Sequence, residues 1–237
     1  MSESTLIEVP DQDERTQVAY LERMAGEIGD AHRGALNAMA RGLVLRGGVP
    51  PLDELVKALA EGSSPAAVEE ALSELERRRL IRLDRTANRV AAMLGFISLE
   101  GTPHRGHLAS GVDVFTFGGL DLLTLRSVTL RDVEAFTVCG HSGAELRLRI
   151  EQGQIVDANV NGIAGFLANW DGRAPLEEVA KRSPLFASDE DLAAWVAAHP
   201  NVKGTELPAD LLLWLGLSAC EELGAARFAL VGRADGD

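Results

Sequence analysis

The spacing of apolar residues changes once along this chain, and that change restricts the folds open to it. Between residues 31 and 77 the apolar positions recur at helical intervals; after residue 80 they alternate between turn signals, as in strands. Helices gathered ahead of strands imply an α+β fold rather than alternating βα units around a parallel sheet. Leu36, Met39, Leu43 and Val44 mark one face of a first helix, which Gly47-Gly48 ends. Pro50-Pro51 precedes a short helix from Leu52 to Glu61. Ser63-Ser64-Pro65 supplies a capping serine and a first-turn proline to a third helix, with Val68, Leu72 and Leu75 as its buried stripe. Leu80-Ile81-Arg82-Leu83 and Arg89 to Met93 flank a polar turn from Asp84 to Asn88 and read as a hairpin. Three short helices and a hairpin predict a winged-helix-like domain over residues 31–100.

A second, mixed sheet/helix domain is expected over residues 110–225. Val112 to Phe117 alternates like a strand, and Leu120 to Leu125 is a short apolar helical or turn segment. Ala135 to Val138 and Leu146 to Ile150 read as strands around the turn Gly140-His141-Ser142-Gly143, and Gln154 to Val160 as another. Gly162, Gly165 and Gly172 fall in a stretch that reads as loops. Ser188 caps a helix from Asp189 to His199 with Leu192, Trp195 and Val196 inward, and Pro208 to Leu223 forms an apolar helix. Residues 1–30 are an acidic extension with one helix, Gln17 to Ile28, whose stripe of Tyr20, Met24 and Ile28 suits the next domain or a second subunit. A homodimer is therefore one expectation. Residues 226–237 form a tail.

Charge narrows the partners. The net charge is -13, and of the three stretches 1–30, 31–95 and 96–237 only the middle one is positive. An acidic chain is repelled by phosphate backbones, so nucleic acid is not an expected partner. Arg77-Arg78-Arg79, Arg82, Arg85 and Arg89 cluster locally. They suit either phosphate contact from a wing or a solvated helix end paired with Glu74 and Glu76, and Glu69 and Glu70 on the adjoining helix face oppose DNA. No apolar run approaches the ~18 residues of a membrane span, and Met1 to Pro10 lacks the basic and apolar regions of a secretory signal. Two cysteines, Cys139 and Cys220, cannot build a disulfide framework and fit a reducing cytoplasm. Abundant Ala, Arg, Leu and Gly with few Lys fit a GC-rich bacterial coding sequence.

Motifs for cofactors are missing. There is no Cys-x-x-Cys, no His-Glu-x-x-His and no phosphate-binding glycine loop, so no cofactor is expected. His104 and His107 are the one close histidine pair and sit in a Gly/Pro-containing stretch that reads as a solvated linker rather than a metal pair. Asp121 follows Phe117-Gly118-Gly119-Leu120; it suits a site acid, a cap on the following helix, or an ion pair with Arg126. The glycine pair suits either an open pocket or a tight turn.

Three segments in order carry a family resemblance: Phe117-Gly118-Gly119-Leu120-Asp121, Val138-Cys139-Gly140-His141-Ser142-Gly143-Ala144-Glu145-Leu146, and Leu185-Phe186-Ala187-Ser188 followed by Ala194-Trp195 and His199. Their order and spacing resemble those of organomercurial (alkylmercury) lyases over about Ala31 to Leu223. The resemblance implies a winged-helix-like N-terminal part, a catalytic role for Asp121, and a pocket lined by Phe117, Gly118, Gly119 and Phe186. It also implies two thiolates that grip the soft mercury of the substrate while a carboxylic acid shuttles a proton to carbon. At those thiolate positions this chain has Gly118 and, near Ala180-Lys181, no sulfur, with no cysteine between 140 and 219. Cys139 matches a cysteine that the resemblance implies is structural; Cys220 has no counterpart. Both remain weak candidate metal ligands.

The expected function is thus a diverged alkylmercury-lyase-like protein that has lost carbon–mercury cleavage and uses the inherited pocket for a small ligand or protein partner, or for a different reaction. One alternative is an active lyase that uses Asp121 and a relocated thiol. Another is a winged-helix transcription regulator with a ligand-sensing C-terminal domain.

Overall fold

The computed structural model describes residues 29–129, 131–169 and 174–214. The helix expected over Gln17–Ile28, the second cysteine Cys220 and the C-terminal part of the last helix lie outside the described residues. Three helices come first. Helix α1 (Asp30–Arg46) buries Leu36, Met39 and Leu43, and Gly47 ends it at φ +71°, a left-handed cap that glycine adopts without a Cβ clash. Helix α2 (Leu52–Leu59) runs into a 3-10 turn, Ala60–Gly62. Helix α3 (Pro65–Arg77) starts where Ser64 Oγ accepts the Ala67 N–H at 3.2 Å, and it buries Val68, Leu72 and Leu75. Both expected stripes therefore face one core, with Val44 of the first only partly buried.

The strands that follow belong to one antiparallel sheet. They are β1 (Ile81–Asp84), β2 (Arg89–Met93), β3 (Ile97–Ser98), β4 (Arg105–Leu108), β5 (Asp113–Thr116), β6 (Val133–Val138), β7 (Glu145–Glu151) and β8 (Gln154–Ala158). Their spatial order is β1-β2-β3-β5-β4-β6-β7-β8. Leu146, Leu148 and Ile150 on β7 are buried while Glu145, Arg147 and Arg149 are exposed, the period-two signature of a sheet with one face on the core. Between β5 and β6 the chain makes a 3-10 turn, Leu120–Thr124, that continues into helix α4 (Leu125–Thr129). This segment seats Leu122, Leu123 and Leu125 in the core.

A smaller sheet, ordered β10-β9-β11, contains β9 (Ala164–Ala168), β10 (Leu185–Phe186) and β11 (Gly204–Pro208). Helix α5 (Leu176–Lys181) precedes β10, and helix α6 (Asp189–Ala198) follows it, with Ser188 Oγ accepting the Asp191 N–H at 3.2 Å. The cap and the inward Leu192 and Trp195 match the sequence; Val196 is only partly buried. Among the described residues no helix is long and apolar enough to cross a membrane.

Three expectations need correction. The linker expected around His104 and His107 contains strand β4, bonded to β5 on one side and β6 on the other. The stretch read as loops around Gly162 and Gly165 holds β9, central in its sheet; buried on both faces, Ala164–Ala168 shows no polar alternation to betray it. Pro208 closes strand β11 opposite Ala164 rather than opening a helix, which starts at Ala209. A proline can end a strand because it need not donate there, and here the next N–H, of Ala209, bonds to Ile163 O at 3.0 Å.

Candidate functional site

The segment Phe117–Asp121 joins β5 to the 3-10 turn at the inner face of the large sheet. Thr116, fully buried, donates its hydroxyl to the Gly118 carbonyl at 2.8 Å. The Gly118 N–H donates to Asp121 Oδ2 at 3.1 Å, and Thr124 Oγ1 donates to the Asp121 carbonyl at 2.7 Å. Asp121 keeps some accessible surface, yet the atoms crowding its carboxyl strip away most of its hydration. Burial pushes its pKa up to about 8, against a smaller downward pull from the Gly118 N–H. At neutral pH the group is therefore mostly a protonated acid. The expected ion pair with Arg126 does not form; Arg126 Nε lies 3.3 Å from Asp132 Oδ1. Nor does the side chain cap the following helix, since its bond runs back to Gly118.

The two positions that sequence reading marked as lacking sulfur meet in space. A Cβ placed on Gly118 would overlap the Ala180 carbonyl oxygen and lie 2.8 Å from the carbonyl carbon. Ala180, on α5, is itself buried. Its carbonyl accepts the Ser183 N–H at 3.0 Å while the Gly118 N–H donates to Asp121, so its contact with Gly118 is packing rather than hydrogen bonding. The glycine pair is thus explained by close approach rather than by an unusual turn: Gly119 has φ -62° and ψ -36°, ordinary helical values, and Gly118 is not in the left-handed region. A Cβ on Gly119 would stand 2.9 Å from Thr137 Oγ1 and 3.7 Å from His104 Nδ1.

That second neighbour pair was not singled out from sequence as part of the site. His104 Nδ1 and Thr137 Oγ1 are 2.6 Å apart, with Thr137 buried on β6. The imidazole is partly buried, and desolvation lowers its pKa, favouring the neutral ring. Residues 104 and 137 are 33 positions apart, and only the β4–β6 pairing brings them together, so no local spacing could have found them. His107 lies three residues on, within β4, and is turned instead to Asp113, whose Oδ1 meets its Nδ1 at 2.8 Å. The two histidines therefore do not converge on a metal.

The remaining candidates lie apart from Asp121's hydrogen bonds. Cys139 is buried, and its thiol donates to Asp191 Oδ2 at 3.3 Å, an oxygen that also takes the Ser142 hydroxyl at 3.0 Å. Phe186 is fully buried, with its ring centroid 5.7 Å from that of Trp195, and Gly140 packs against it and Pro184. Phe117 is half-buried beneath the Arg82 guanidinium, 6.0 Å from its ring centroid. Among the described residues, no group of three or more His, Cys, Asp or Glu is placed to hold a metal ion. The arginine cluster is tied to acids: Arg77 and Arg78 to Glu74, Arg85 to Glu69 and Glu76, Arg89 to Asp84 and Glu100, and Arg82 to Glu177.

Comparison with known proteins bears on the family and the fold. The sequence profile described as alkylmercury lyase matches residues 97–220, more than half of the chain. Among solved structures, the mercury-bound form of MerB2 is similar in fold, with a TM-score of 0.74 at 17% identity over 90% of this chain and 100% of that one. No curated protein matches the sequence.

Proposed function

Because the chain belongs to the alkylmercury lyase family yet brings glycine and alanine together where paired sulfurs would be needed, we propose that it is a diverged member that does not cleave carbon–mercury bonds. Its retained acid instead serves a small ligand, a protein partner or a different reaction. The contact between Gly118 and the Ala180 backbone carries this reading. Mercury is a soft ion whose protein ligands are thiolates, and neither glycine nor alanine can supply one. Asp121 remains suited to its share of the chemistry: burial holds it protonated at neutral pH, so it can donate a hydrogen bond or a proton to an acceptor on a ligand.

Among the described residues a relocated thiol finds little support, since Cys139 is engaged by Asp191. A role in DNA binding finds little more, because acids already neutralise the arginine cluster near the hairpin. The one described cysteine is a free, buried thiol, in keeping with a reducing cytoplasmic setting.

Two measurements test the reading. Purified protein mixed with a phenylmercury salt and excess thiol should release no benzene above a protein-free control. Benzene release by the wild type that disappears in Asp121→Ala would reverse the conclusion. A fragment screen at pH 7, read by thermal shift, should yield binders whose shift is lost in Asp121→Ala.

A further inference from the structure

The two sides of the Gly118–Ala180 seam come from segments far apart in sequence, and one side chain from a third segment touches both. Arg82, on β1, places its Nε 3.5 Å from Glu177 Oε2 on α5. Its guanidinium carbon also stands 6.0 Å from the centre of the Phe117 ring, beside Gly118. Arg79, at the turn before β1, donates from Nη1 to the Ala174 carbonyl at 2.9 Å, one residue before the cap of α5. The hairpin side of the molecule therefore holds α5 against the Phe117–Asp121 segment, while the seam itself is closed by packing between Gly118 and Ala180.

These contacts are of a kind that can release. The Arg82–Glu177 pair is partly exposed, more so at Arg82, so water and salt screen it. The cation–π contact lies at the outer limit of useful distance. If α5 moved away, the covering over Gly118 would go with it, and the Asp121 carboxyl bonded to the Gly118 N–H would gain water and room. We propose that Arg82 is a positioning residue that fastens this seam and thereby keeps water from the Asp121 carboxyl. The inference rests on the reading of Asp121 as the retained acid and adds what keeps that acid dry.

The test compares wild type with Arg82→Ala, Arg82→Lys and Glu177→Gln in the full chain. Backbone hydrogen exchange is followed at residues 176–181, with residues 65–77 of α3 as an internal reference. Exchange in 176–181 should speed up several-fold in Arg82→Ala and Glu177→Gln, less in Arg82→Lys, with the reference unchanged. In parallel, the Asp121 carboxyl is titrated by carbon NMR; its midpoint should fall in Arg82→Ala toward the ordinary carboxylate range as water enters. Unchanged exchange in 176–181, or equal acceleration in the reference helix, would overturn the role given to Arg82. A wild-type Asp121 that titrates as an ordinary carboxylate would instead overturn the protonated-acid reading, and the exchange data would still judge the seam.

Discussion

Gly118 and Gly119 look alike in the sequence, and the structure assigns them different costs of substitution. A methyl group on Gly118 meets the backbone of Ala180, which cannot rotate away, whereas on Gly119 it meets the Thr137 hydroxyl, which can. Overpacking against backbone typically costs ~1–3 kcal/mol. Gly118→Ala should lower stability by about 2–3 kcal/mol and Gly119→Ala by about 1 kcal/mol, an order that urea midpoints would establish. Asp121 supplies a pH signature. Its pKa rises from the model-compound 3.8 to about 8 on folding, so between those values the folded state holds a proton that the unfolded state has released. Its contribution to stability is full in acid and is lost as pH rises toward 8. Asp121→Asn removes that slope, and the difference between wild type and variant, measured by denaturation from pH 4 to pH 9, should shift steadily in the variant's favour. Equal pH profiles would show that the carboxyl is ordinary.

Elements were legible in proportion to how local their signals are. The helices of residues 30–77 and the hairpin after them follow from stripes, caps and a turn within a few residues of one another. Strand β4 did not follow, because Arg105-Gly106-His107-Leu108 is polar on its outer face and carries glycine on its inner one. That glycine is required by docking: a Cβ there would strike Leu125 and come within 3.1 Å of Val133 Cγ1, where the 3-10 turn and α4 sit on the sheet. Gly106→Val should therefore lift this segment, cost about 2 kcal/mol or more, and disturb the Asp121 resonance along with the melting temperature. Of the candidate site, Asp121 and the missing sulfurs could be read from the chain. The approach of Ala180 to Gly118, the His104–Thr137 pair and the reach of Arg82 could not, since each depends on segments that only the sheets bring together.

At the scale of the molecule, the large sheet runs without a break from the hairpin at residues 81–93 to β8. The helical N-terminal part and the site-bearing part therefore share a ladder of backbone hydrogen bonds, and Arg79 and Arg82 add side-chain ties to α5. Such sharing predicts one cooperative transition. All three tryptophans, Trp170, Trp195 and Trp214, lie in the C-terminal third, while far-ultraviolet circular dichroism is weighted toward the helices of the first half. The two signals should give the same urea midpoint; separated midpoints would mean that the parts unfold independently. The abutment of residues 118 and 180 also bears on how such a protein can change over generations. A lone codon change that placed cysteine at position 118 would be punished by the fold before the thiol could be of any use. Any side chain that is to sit at this junction must wait for α5 to step aside, so a second change has to come before the first can be tolerated.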